Sequence, residues 1–545
     1  MENLSFFEYL CIKIILRMKL FLISLFFSIC FVISAQVTND QLSIIDIKHY
    51  AIELKVNDST NRIEVKESIL LERLDETKNI SLDLTSLNSE GKGMVVESIF
   101  EGNFPIKFKH ENDKLIIDNL RPKAQKEIEL KIVFSGIPID GLVIGENKYG
   151  SRTFFGDNWP NRAHNWFACV DHPSDKATVQ FSVQAPNHYQ VIANGEFIGK
   201  RVENKIDVIY EYSSTIPLPT KVMVVGIAAF KIQNLPSSAG VNLSSWVYPE
   251  NEQKGFFDFD LASSIVPFFV MYLGPYEYEK LANVQSTTRF GGMENAGCIF
   301  YDENSINGKR TCETLLVHEI AHQWFGNSAS EKEWQDIWLS EGFATYFTNL
   351  YLEEFKGAAV FRKQMELDRS QVIQFYSKYN HPIVDTSYTE LMNLLNPNSY
   401  QKGAWALHML RRELGDEMFK KGIIAYYRKY RLSNASTDDF KNSMEEVSGL
   451  DLNLFFQQWL YQSGHPVLSV SGEINKKSIQ FIVQQTQKSN NFSFPLTIEL
   501  TLKKGEKLIK VIEINERNEI VNFETPKKVK SWKLDPFVDL LFEQE

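Results

Sequence analysis

The chain of 545 residues predicts a multidomain, mixed fold. An all-β segment over 36–228 comes first, an α+β segment over 229–464 follows, and a small β-sandwich over 465–545 ends the chain. Three observations predict this. Apolar and polar residues alternate with a period of two in the first part. The period becomes helical from about Lys231, and alternation returns from Pro466. The length suffices for three or four domains with cores of their own, and 43% hydrophobic with 23% charged residues is ordinary globular composition.

The first 35 residues stand outside this fold. Leu20 to Ile33 is an apolar run preceded by Lys13, Arg17 and Lys19 and followed by Ser34-Ala35-Gln36. That is the layout of a secretory signal cleaved after Ala35, which predicts an exported protein, periplasmic or extracellular, with no stable membrane span after cleavage. Met18 begins a signal of typical size and is a candidate true start. The rival is an uncleaved anchor, for which the run is slightly short. Cys30 follows Phe27-Ser28-Ile29, which lacks the small residues of a lipoprotein cleavage site.

In the β segment, Ile52, Leu54 and Val56 alternate with Glu53 and Lys55, and Ile128, Leu130, Ile132 and Phe134 repeat the pattern. Asn88-Ser89-Glu90-Gly91 and Asn194-Gly195 mark turns. The α+β segment predicts helices over Phe256 to Tyr272, Thr311 to Trp324, Gly403 to Glu413, Phe419 to Tyr430 and Thr437 to Val447. Another runs through Trp338 to Ala344, and Leu281 to Val284 reads as a strand. Ser433-Asn434-Ala435-Ser436 is an N-cap run. In the last segment Val467, Leu468 and Val470, then Leu496, Ile498, Leu500 and Leu502, alternate with polar neighbours.

A formal net charge of −11 argues against nucleic acid as a partner. Removing the signal removes Cys11 and Cys30 and leaves Cys169, Cys298 and Cys312, an odd set without repeated spacing. Stability should therefore come from core burial rather than a disulfide framework.

His318-Glu319-Ile320-Ala321-His322 carries the chemistry. Residues four apart share a helix face, so the two imidazoles can bind one metal side by side. Glu319 can turn its carboxylate toward a water at that metal without ligating it. Glu341, on a following helix, would complete a His2Glu set with its fourth position open, the pattern of a catalytic zinc rather than a structural one. Chance alone gives such a pentapeptide in roughly one chain in a hundred of this length. Histidines merely satisfied in a core would not predict a carboxylate in a second apolar helix soon afterwards.

With eighteen residues between His322 and Glu341, the sequence resembles the gluzincin aminopeptidases related to aminopeptidase N and leukotriene hydrolase, peptidase family M1. Gly291-Gly292-Met293-Glu294-Asn295 matches their Gly-x-Met-Glu-Asn exopeptidase loop. Ser399-Tyr400-Gln401-Lys402-Gly403-Ala404 matches their tyrosine segment. The resemblance runs from about Asp46 to the C-terminus. It implies a saddle-shaped β domain, a thermolysin-like catalytic domain and one Zn2+ per chain. It further implies Glu319 as general base, Tyr400 as oxyanion donor, and Glu294 as reader of the free α-amine of peptide substrates. Gly291, Gly292, Met293 and Asn295 would form the substrate loop around it. Larger members carry a further helical domain that this sequence lacks, so a more open cleft is expected.

One departure stands out. Many members place a Gln or Glu twelve residues before the Asp of a Phe-x-Cys-x-Asp segment, which here is Phe167-Ala168-Cys169-Val170-Asp171. Counting back reaches Trp159. Either Asp157 or Asn158 could serve the amine instead, or Glu294 works with less help. Asp336 and Glu313 are candidates for orienting the histidines, with a surface ion pair as the equal alternative. The expected activity is removal of N-terminal residues. An endopeptidase, an epoxide hydrolase, and a peptide-binding scaffold without catalysis are the rivals.

Overall fold

A computed structural model describes residues 39–75, 79–117, 127–488 and 490–545. The signal segment, with its cleavage after Ala35 and the start at Met18, lies outside the described residues.

The N-terminal part is built from three sheets. The largest has eight strands in the spatial order Glu196–Val202, Asp207–Pro219, Lys176–Pro186, Ile45–Lys55, Ile63–Arg73, Glu127–Ile137, Gly93–Glu101, Phe104–Pro105. Alternation sets which side chains face the core: Ile52 and Leu54 are buried while Glu53 is exposed. The phase slips once in that strand, at a bulge between Ile47 and His49. A four-stranded sheet (Gln190–Ala193, Val225–Ala228, Arg152–Gly156, Leu142–Glu146) packs beside it. The chain leaves Arg152–Gly156 directly into the loop that carries Trp159.

Lys231–Asn234 begins a new, five-stranded sheet, with Leu243–Val247, Leu281–Ser286 and Cys298–Asp302 running parallel and Gly292–Met293 as its antiparallel edge. The helix expected over Phe256 to Tyr272 is two, Glu252–Phe259 and Ala262–Leu273. The interruption falls beside Asp258, whose buried carboxylate accepts the N–H groups of Asn307, Gly308 and Arg310. The stretch Pro249–Leu273 is long and apolar enough to cross a membrane by length and composition alone; half of it is buried within the protein, as in a core helix.

The histidine helix is regular over Glu313–Ala321, shorter than expected. It closes with Gln323 N–H bonding Ile320 O and Trp324 N–H bonding Ala321 O, three residues back instead of four. A helix that the sequence reading did not single out, Ala358–Tyr376, packs on Trp338–Lys356 through Phe361, Met365, Asp368 and Val372. Ser433–Ala435 forms a short strand parallel to Ala329–Glu331, and Ser436 alone is the N-cap of Thr437–Ser448, in a capping box with Asp439.

From Val467 the chain forms two facing sheets, of four and three strands. Leu496, Ile498, Leu500 and Leu502 all point into the core. The sandwich shares one continuous core with the helices. Arg369 pins it there, donating to Asp535 Oδ2 and Leu540 O, each at 2.6 Å. Cys169, Cys298 and Cys312 are all buried and free.

Candidate active site

Glu313–Ala321 buries Leu316, Val317, Ile320 and Ala321 in the helical core, which turns His318 and His322 together toward a cleft. Their Nε2 atoms lie 3.1 Å apart. Glu341, in the first turn of Trp338–Lys356, brings Oε2 to 3.4 Å from His318 Nε2 and 3.3 Å from His322 Nε2. Ligand atoms about 2.0–2.1 Å from a tetrahedral zinc are about 3.3–3.4 Å from each other. The trio is thus spaced as three corners of such a site.

His322 is held by its far nitrogen. Nδ1 lies 3.1 Å from Phe325 O and 3.0 Å from Ser340 Oγ. A carbonyl can only accept, so Nδ1 carries a hydrogen, and Nε2 is the nitrogen that would offer its lone pair to a metal once the ring is neutral. Asp336 and Glu313 do not orient the histidines. Asp336 accepts from Thr437 N and Oγ1 at 2.9 and 2.7 Å, and Glu313 accepts from Tyr351 and pairs with Lys356. Phe325 and Ser340 gave no sequence signal, because their role depends on how the chain turns after the helix.

The electrostatics fit a cation. Burial drives the Glu319 carboxyl well above its usual range, and the neighbouring Glu294 and Glu341 push the same way. Glu294 is also raised, chiefly by burial. Burial opposes charge on Glu341 too, but the two imidazoles outweigh it and hold this carboxyl below the usual range. Burial lowers His318, while for His322 the surrounding carboxylates overcome burial and lift it to about 9. Three carboxylates and two imidazoles confined together are the complement of a divalent ion.

The remaining groups close around this trio. Gly292 sits against Glu319: a Cβ there would come within 2.4 Å of Oε1, so only glycine allows the strand edge to pass so near the carboxylate. Tyr400 stacks on the His318 ring, centroids 6.1 Å apart and planes 11° off parallel. It lies in a π-helical turn, Asn398–Lys402, seated on the Glu341 helix where Gly342 and Gly403 meet with no side chain between them. Burial and the site carboxylates hold the Tyr400 hydroxyl well above its ordinary pKa, so it stays protonated.

The cleft is lined by His318, His322, Glu341, Glu319, Tyr400, Gly292, Met293 and Glu294, with Trp159, Phe290 and Leu395 completing the wall. Glu294 is 3% exposed and its Oε1 has no hydrogen-bond partner among the described residues. Its backbone carbonyl accepts from Gln323 Nε2 and Asn327 Nδ2 at 2.8 and 2.6 Å, fastening the loop to the end of the histidine helix. Gln323 and Asn327 escaped the sequence reading. Gly291 is exposed beside the cleft and Asn295 is buried behind it; neither lines it.

Asp157 and Asn158 are not available to an amine. Asp157 is fully buried, 2.6 Å from Arg162 Nη2, and accepts the Arg289 N–H. Asn158 donates to Thr220 O and Met223 O and accepts from Trp166 Nε1. Both hold the loop together. Trp159 is the member of this loop that reaches the cleft.

The description of the peptidase M1 N-terminal domain matches residues 47–222, and that of the peptidase family M1 domain matches 257–459. Among curated relatives, probable aminopeptidase 1 of Sulfurisphaera tokodaii is 26% identical over 85% of this chain and 59% of its own length. Glutamyl aminopeptidase of Bos taurus is 30% identical over 60% of this chain and 36% of its own. The chain therefore spans only about a third to three fifths of these relatives. The crystal structure of Legionella pneumophila aminopeptidase A in complex with aspartic acid shares the fold, with TM-score 0.79 and 17% identity over 93% of this chain and 60% of that one. With both domain descriptions matched in order, and the His318–His322 helix and Glu341 inside the second, the chain belongs to peptidase family M1.

Proposed function

We propose that this chain is a zinc-dependent aminopeptidase that hydrolyses the first residue from peptides with a free N-terminus. The observation that carries the reading is the buried carboxylate of Glu294, one oxygen unpartnered, in the same cleft as the His318–His322–Glu341 trio.

His318, His322 and Glu341 would hold the zinc, which when bound supplies Lewis acidity to a water and to the scissile carbonyl. Glu319 takes the proton of the attacking water and returns it to the leaving amine; the burial that raises its proton affinity suits it to this work. Tyr400, kept protonated, donates its hydrogen bond to the developing oxyanion. Glu294 pairs with the substrate ammonium. A blocked N-terminus would leave this buried carboxylate without a partner, which disfavours such peptides.

That penalty argues against an endopeptidase. The intact set of ligands, base and tyrosine argues against a scaffold, and nothing in the cleft favours an epoxide over a peptide. Relatives named glutamyl and leucyl aminopeptidase both occur, so their names leave the preferred first residue open. The run Leu20 to Ile33 supports export. Aminoacyl reporter substrates, free and N-acetylated, with and without a chelator, test the reading. Chelator-sensitive cleavage confined to free amines is expected, and equal cleavage of acetylated substrates would overturn it.

A further inference from the structure

We propose that the first-residue pocket selects peptides beginning with an apolar side chain, and that Trp159 is the residue that sets this preference. This rests on the aminopeptidase reading.

The first residue of a substrate must lie between Glu294, which takes its amine, and the trio at which its carbonyl reacts. Amine and carbonyl are separated only by one Cα, so the side chain has to meet the walls of this same small cleft. Those walls are Trp159, Phe290, Met293 and Leu395. Trp159 is 2% exposed, and its Nε1 is sealed from solvent, so what it shows the cleft is hydrocarbon. It is held firmly: its ring packs edge-on against Trp334, and its carbonyl accepts from Arg162 Nε at 2.7 Å.

The charges present exclude the other classes. No lysine or arginine is among the residues lining the cleft. The nearby cations are committed elsewhere: Arg289 to Asp140, Arg162 to Asp140 and Asp157, and Lys221 to Glu331 in a fully buried pair. Apart from the metal position, which the scissile carbonyl and the attacking water engage, an acidic first side chain would therefore meet the carboxylates of Glu294 and Glu319 with no lysine or arginine to compensate it. A basic side chain finds carboxylates that are already assigned: Glu294 to the amine, Glu341 to the metal position and Glu319 to the water. An apolar side chain alone gains from leaving solvent here.

The test is a panel of aminoacyl reporters on the zinc-loaded full chain. Leu, Met or Phe should exceed Glu and Asp in kcat/KM by about 100-fold or more, and Lys and Arg by about 10-fold. Glu or Asp within tenfold of Leu overturns the proposal. Trp159→Gln should lower the Leu-to-Ala ratio about tenfold, with zinc content and melting temperature confirming a folded protein; an unchanged ratio removes Trp159 from the role. Leu395→Lys provides a second variant on a partly exposed wall and should raise the Glu-to-Leu ratio at least tenfold, whereas no rise counts against this wall. Should no reporter be cleaved, the aminopeptidase reading fails separately. Thermal shift by free leucine against free glutamate then reads the pocket directly: stabilisation by leucine supports it, and stabilisation by glutamate overturns it.

Discussion

The residues that would hold the metal come from two helices, Glu313–Ala321 with its C-cap His322, and Trp338–Lys356, with Tyr400 on a π-helical turn seated against the second. The proposed amine end is assembled differently. Glu294 follows a two-residue strand edge, Trp159 comes from a loop of the N-terminal sheets, and Leu395 precedes the tyrosine turn. Two imidazoles spaced by one helical repeat need only that helix to converge. The amine end needs two domains in register, fixed by contacts such as Lys221 on Glu331 and Lys176 on the carbonyls of Asn327, Ser328 and Ser433. In the proposed function, chemistry lives on repetitive structure and selectivity on irregular structure.

Substitutions can break or sharpen that contrast. The largest effect is expected from His322→Ala, which should remove both zinc and turnover; metal analysis showing about one zinc per chain in that variant would separate His322 from the site. Glu319→Gln should keep its zinc and lose about 10^3-fold in kcat, since only proton transfer is removed. Tyr400→Phe should lower kcat about 10^2-fold with KM moving less than about 3-fold, because the hydroxyl serves the oxyanion rather than the ground state. Unchanged turnover would refute its role. The smallest effect on activity belongs to Asp157→Asn. Per folded molecule, kcat/KM should stay within about 3-fold, while urea unfolding shows a loss of about 3 kcal/mol from breaking its buried pair with Arg162. A large loss in kcat/KM with unchanged stability would instead return Asp157 to the amine.

Much of this was legible in the sequence. The alternation at Ile52 and Leu54, the histidine helix, and the inward row from Leu496 to Leu502 follow from local periodicity, and the structure bears them out. What was misread depended on tertiary partners. The break at Asp260 and Leu261 lies beside a carboxylate that organises a loop some fifty residues away, and no local pattern announces it. Asp157 and Asn158 looked free because their partners, Arg162, Thr220 and Met223, are loop groups. Asp336 and Glu313 were near the histidines in sequence, but their carboxylates are engaged by Thr437, Tyr351 and Lys356.

The sequence by itself determined the succession of β, mixed and β segments and the metal-and-base cluster, because hydrophobic period and one helical repeat are short-range properties of the chain. Only the tertiary structure decided which nitrogen of His322 faces His318 and Glu341, that Gly292 lets the strand edge lie against Glu319, and that Trp159 and not its neighbours reaches the cleft. Each of these is set by atoms from distant segments meeting within a few ångströms, and such meetings leave no period for a sequence to display.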